Sequence, residues 1–183
     1  MLQTILKTFF RTGFLSALAL LSLQGSGVAV ANEAESASAF SVVTSEAHII
    51  PVGHDGMRIM GILSGAFFVD AGYGPSDAGD LNCLANMTAN QSSGKISGEG
   101  SCVIVSGDSR LFANWTCEGV LFVGCKGDFV ITGGDGRFEG ATGGGVMVSR
   151  TSEAATGIAA DRAVGVALGR GILFWDAFDI VLP

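Results

Sequence analysis

Histidine is almost missing from this chain: His48 and His54 are the only two in 183 residues, so ordinary titration near neutral pH rests on them alone. Basic side chains are scarce as well, ten against seventeen acidic ones. No run of Lys and Arg offsets this balance, so the surface repels phosphate backbones and anionic lipid, and nucleic acid is not an expected partner. No G-x-x-x-x-G-K-[ST] loop, H-E-x-x-H pair or G-x-S-x-G elbow occurs after residue 31, which leaves phosphate-loop, zincin and nucleophile-elbow chemistry without support. Nor does any later stretch combine the length and apolarity of a membrane-crossing helix.

What the amino terminus does contain is a leader. Lys7 and Arg11 form a basic segment, Phe14 to Leu23 an apolar run, and Ala29-Val30-Ala31 a small-x-small cleavage site. The run is diluted by Gly13, Gln24, Gly25, Ser26 and Gly27, so it is a poor membrane span. Export to the periplasm or beyond is expected, with residues 1–31 removed and 32–183 forming one domain after a short flexible lead-in. That domain carries eight basic and all seventeen acidic side chains, a formal charge of −9.

Four cysteines follow the leader: Cys83, Cys102, Cys117 and Cys125. An even number in an exported chain favours disulfides, and the absence of C-x-x-C spacing or a neighbouring histidine argues against zinc. Three pairings are formally open. Cys117 and Cys125 flank a short connection between two strand-like runs, which makes a hairpin clasp the natural choice and leaves Cys83 with Cys102.

Period-two patterning dominates. From Arg110 to Glu118, Leu111, Ala113, Trp115 and Cys117 alternate with Phe112, Asn114 and Thr116, as a strand with one buried face requires. Similar runs occur at 40–52, 58–70, 81–91, 97–106, 124–132, 144–150, 163–168 and 172–182, separated by Gly/Asp/Pro turns. Only 152–162, rich in alanine, has the composition of a helical turn. The spacing predicts an all-β fold of eight to nine antiparallel strands closed into a single barrel, which removes exposed sheet edges. Apolar residues on both faces of several strands leave self-association into a homo-oligomer open.

The segment Thr132–Gly145 holds seven glycines in fourteen residues and cannot be a stable helix. Its G-x-G-x-x-x-G spacing, with no helix-forming segment after it, does not make a dinucleotide fingerprint. Gly133, Gly134, Gly136, Gly140 and Gly143 instead mark a sharp corner, with Phe138 as its structural plug. The run G-D-F-V-I-T-G-G-D-G-R-F-E-G-A-T-G at 127–143 resembles the signature of the allene oxide cyclase and dirigent-like β-barrel superfamily. The flanking S-G-E-G-S-C at 97–102 and W-T-C-E-G at 115–119 are similar to small exported bacterial members of that group.

That resemblance implies an eight-stranded barrel whose interior holds an apolar molecule. Allene oxide cyclases shape a reactive fatty-acid epoxide and dirigent proteins steer the coupling of phenolic radicals, in both cases without metal. The leading expectation for this chain is a non-catalytic barrel that binds a small apolar ligand or acts through protein contacts. The alternative is a cyclase-like or dirigent-like enzyme. Trp115, Phe129 and Trp175 are the candidate ligand contacts; no catalytic residue, cofactor or metal ligand is assigned. His48 and His54 flank Pro51 as exposed residues near a turn, and Asp176 and Asp179, three apart on one strand, would need a bulge to cooperate.

Overall fold

The computed structural model describes residues 35–157 and 165–183, with side chains for 37–152 and 165–183. The leader, the cleavage site and the lead-in before Glu35 lie outside the described residues. Eight strands follow in order: β1 (Glu35–Val52), β2 (Gly56–Asp70), β3 (Pro75–Asn90), β4 (Lys95–Ser106), β5 (Ser109–Val120), β6 (Gly124–Gly134), β7 (Thr142–Gly157) and β8 (Gly165–Val181). Each pairs antiparallel with the next, and β8 returns to β1 to close the barrel. Among the described residues the only other element is one 3-10 turn, Gly136–Phe138.

The alternation read from the sequence is the alternation of burial. Along β5, Ser109, Leu111, Ala113, Trp115 and Cys117 are buried while every residue between them is exposed. The two runs expected at 163–168 and 172–182 form one strand, β8, because Gly169 and Gly171 sit within its pairing to β1 rather than at a turn. The helical turn expected at 152–162 is corrected over its described part: β7 continues to Gly157, with Thr156 opposite Ala167 and Gly157 opposite Val166. A continuous ladder of partners on β8 from Glu153 to Gly157 overrides the high helix propensity of alanine. Both disulfides follow the expected pairing, Cys83–Cys102 joining β3 to β4 and Cys117–Cys125 joining β5 to β6, all four sulfurs on the inner wall.

One half of the bore is packed solid. Phe67, Phe129, Trp175 and Phe178 meet edge-to-face or tilted, with centroids 5.1 to 6.0 Å apart, and Leu81, Ile104 and Leu111 surround them. A bulge between β1 and β8 sets Ala39 opposite Trp175 and Ala37 opposite Phe178, so two aromatics three residues apart both point inward. The same bulge leaves Asp176 exposed and Asp179 half-buried, turned away from the bore. Trp175 Nε1 has no hydrogen-bond partner.

The glycine corner closes this end. Gly133, Gly136, Gly140 and Gly143 have positive φ, and Phe138 is buried beneath the 3-10 turn. The corner is strapped to β5: the Arg137 N–H donates to Ser109 Oγ at 3.0 Å, and Asp135 accepts from the Arg110 N–H at 2.8 Å and from its Nε at 2.7 Å. Hydrogen bonding to the Arg110 side chain holds the Asp135 carboxyl below its ordinary range. A depressed carboxylate stabilises the fold above the unfolded-state value, and that contribution is lost as pH falls through the folded-state value. Urea unfolding across acid pH therefore has a definite expected outcome. The wild type exceeds Asp135→Asn in stability at neutral pH, and the gap closes below the usual carboxylate range; a gap that persists in acid contradicts the assignment.

Candidate functional site

The other half of the bore is hollow. A row of directly paired inward residues runs Ala167, Ala47, Gly61, Ala85, Gly100 across β8, β1, β2, β3 and β4 and ends on Trp115 of β5. Five successive strands thus present a methyl group or less at one level. β8 adds Gly169 and Gly171 above its bulky Leu173 and Trp175. Without side chains to fill it, this half encloses an apolar cavity of about 500 Å³. That size lies within the ordinary range of small-molecule pockets.

Bulky walls complete it. Met57, Ile59 and Leu63 on β2 and Met87 on β3 face it, Met147 and Leu173 lie toward the packed half, and Cys83, Cys117 and Cys125 bring both disulfides to its surface. Polar groups are few. Ser149 Oγ accepts the Cys125 N–H at 2.9 Å, Ser45 and Thr151 add two more hydroxyls, and Gln91 adds an amide. Arg150 and Arg170 lie in the lining, Arg150 with Nη1 donating to the Ser149 carbonyl. Among the described residues, no Asp, Glu, His, Lys or Tyr lines the cavity. The described wall therefore offers contact and shape rather than a general acid or base.

Of the three aromatic candidates, Trp115 lines this cavity. Its ring lies against Gly100, where a β-carbon would come within 2.6 Å of Cε2 and Nε1. Phe129 and Trp175 belong to the aromatic cluster of the packed half and are not in the lining. His48 is exposed on the outer face of β1, and His54 in the β1–β2 turn bonds to Asp55 through Nδ1 at 2.9 Å. No group of three His, Cys, Asp or Glu able to hold a metal occurs among the described residues. Sequence reasoning missed the small-residue row and the methionines. The signal for the row was available in β8, where inward positions read Gly165, Ala167, Gly169, Gly171 before Leu173 and Trp175.

Fold and cavity together define a closed eight-stranded antiparallel barrel, plugged in one half and hollow in the other. No family model matches the sequence, and no curated protein matches it. Among solved structures the chain is similar to that of the pterocarpan synthase dirigent protein GePTS1, at 11% identity over 76% of this chain and 92% of that one, with a TM-score of 0.29.

Proposed function

We propose that this protein is an exported, non-catalytic container for a small, uncharged, apolar molecule held in the hollow half of the barrel. The observation that carries the reading is the cavity itself: about 500 Å³, walled by aliphatic, methionine and tryptophan side chains. Burying a cation there would require an acidic partner that the described lining does not supply, and its two arginines, Arg150 and Arg170, are exposed rather than set in the apolar wall, whereas apolar surface gains roughly 25 cal/mol for each Å² removed from water. Export is supported by the leader pattern and by two disulfides, which persist in oxidising compartments.

The test is titration with the neutral fluorescent probe N-phenyl-1-naphthylamine, with native mass spectrometry of the purified protein to detect a co-purifying molecule. Ala47 is the position to block, because its cross-strand neighbours are Gly61 and Ala167 and a ring there projects into free volume. Ala47→Phe is expected to weaken probe binding at least about tenfold while the melting temperature changes by only a few degrees. Equal probe binding by wild type and variant, or none by the wild type, would remove the container reading.

A further inference from the structure

The hollow half ends in a rim of turns. Three turns form its described part, and backbone hydrogen bonds tie them together: the Gln91 N–H to the Asp55 carbonyl, the Leu121 N–H to the Gly94 carbonyl, and the Thr151 N–H of β7 to the Val123 carbonyl. One of those three turns carries an apolar tip, Leu121–Val123, with Phe122 58% and Val123 53% exposed; the β1–β2 turn is polar at its tip but follows Val52, 53% exposed at the end of β1. Phe122 and Leu121 also belong to the cavity lining, so this tip stands at its entrance. Phe122 is the sole described non-glycine residue with positive φ, at 63°. A bulky aromatic is disfavoured in that region. The backbone is thus held in a costly conformation that presents a phenyl ring to water, the combination expected where strain serves a contact.

Charge separates along the same axis. Five basic residues, Arg58, Lys95, Lys126, Arg150 and Arg170, lie on the strand halves and turns that carry the rim, together with six acidic ones, Glu46, Asp55, Glu99, Glu118, Asp128 and Glu153. Among the described residues the corner end instead gathers nine acidic residues, Asp80, Asp176 and Glu35 beside Asp70, Asp77, Asp108, Asp135, Glu139 and Asp179, against only Arg110 and Arg137. The net negative charge that repels anionic surfaces is therefore concentrated at the plugged end. The rim end is nearly balanced, and the resulting dipole turns it toward a negative surface.

We infer that the open rim docks on an anionic lipid bilayer, with the Leu121–Val123 tip entering the interface, Val52 beside it, and the cavity entrance facing the lipid. This rests on the container reading, since an apolar ligand of low water solubility then passes between membrane and cavity without crossing bulk water. An exposed aromatic tip flanked by cations such as Lys95, Lys126 and Arg150 is surface chemistry by which peripheral proteins hold an interface.

The experiment is flotation of the full chain with vesicles of phosphatidylcholine alone and of phosphatidylcholine mixed equally with phosphatidylglycerol. It compares wild type with Phe122→Asn, since asparagine tolerates the left-handed backbone that phenylalanine strains to adopt. The variant is expected to melt at or above the wild-type temperature, yet to float with the mixed vesicles about tenfold less. Added salt is expected to weaken wild-type flotation. Wild-type protein that stays in the aqueous fraction, or a variant that floats as well as wild type, overturns the inference. The N-phenyl-1-naphthylamine titration in vesicle-free solution keeps the two readings apart: probe binding without flotation defeats docking and leaves the container, whereas flotation without probe binding does the reverse.

Discussion

Replacing Gly100 with alanine is expected to destabilise the barrel by about 3 kcal/mol or more, near the upper end of overpacking costs, and to lower its melting temperature by roughly 10 °C. The reason is local and steric. Gly100 pairs with Ala85 on one side and Trp115 on the other, and a β-carbon there would collide with the Leu84 carbonyl and with the indole ring of Trp115. The carbonyl belongs to the sheet ladder and cannot retreat without breaking it. Trp115 could turn away, but only into the cavity. The variant should therefore lose probe affinity along with stability, and Trp115 emission should report a changed environment. Thermal unfolding with tryptophan fluorescence checks both, and a Gly100→Ala protein that melts with the wild type would show that the ring does not rest where the structure places it.

This glycine also shows how much was legible beforehand. Period-two alternation in Arg110–Glu118 located both a strand and its inward face, since burial there alternates without exception. The corner was legible for a different reason: glycines at positive φ are the only residues that make such a bend without strain, so Gly133, Gly136, Gly140 and Gly143 announce it directly. Gly100 announces nothing of that kind. It sits inside a strand, and its role depends on a tryptophan fifteen positions away that only the register of β4 with β5 brings beside it.

The cavity was hidden by the same dependence on register. Ala47, Gly61, Ala85, Gly100 and Ala167 are scattered over five strands, and nothing in their local sequence says that they stand at one level. Aromatic content pointed instead to Trp115, Phe129 and Trp175 as a group. The structure divides them, because Phe129 and Trp175 fall on the plugged side and Trp115 on the hollow side. Composition says how many large side chains a barrel has to fill its bore. Pairing decides which half they fill.

A half-empty bore must be held together by something other than packing, and this is the basis of the second large effect. Cys83, Cys117 and Cys125 all line the hollow half, so both disulfides brace the part of the wall where side chains from opposite strands do not meet. With sequence separations of 19 and 8, chain-entropy estimates give about 3 kcal/mol for Cys83–Cys102 and about 2.5 kcal/mol for Cys117–Cys125. Replacing the first pair by alanine should thus cost slightly more than replacing the second. Removing both should cost roughly 5–6 kcal/mol, comparable to the entire stability of many single domains. Thermal unfolding of the two double variants, the fourfold variant and the wild type with and without reductant tests this order. The expected result is a fourfold variant and a reduced wild type that are marginally folded at best and bind N-phenyl-1-naphthylamine poorly, because the braced wall is also the cavity wall. If the fourfold variant unfolds cooperatively within a few degrees of the wild type, the plugged half alone carries the fold and the hollow half needs no bracing.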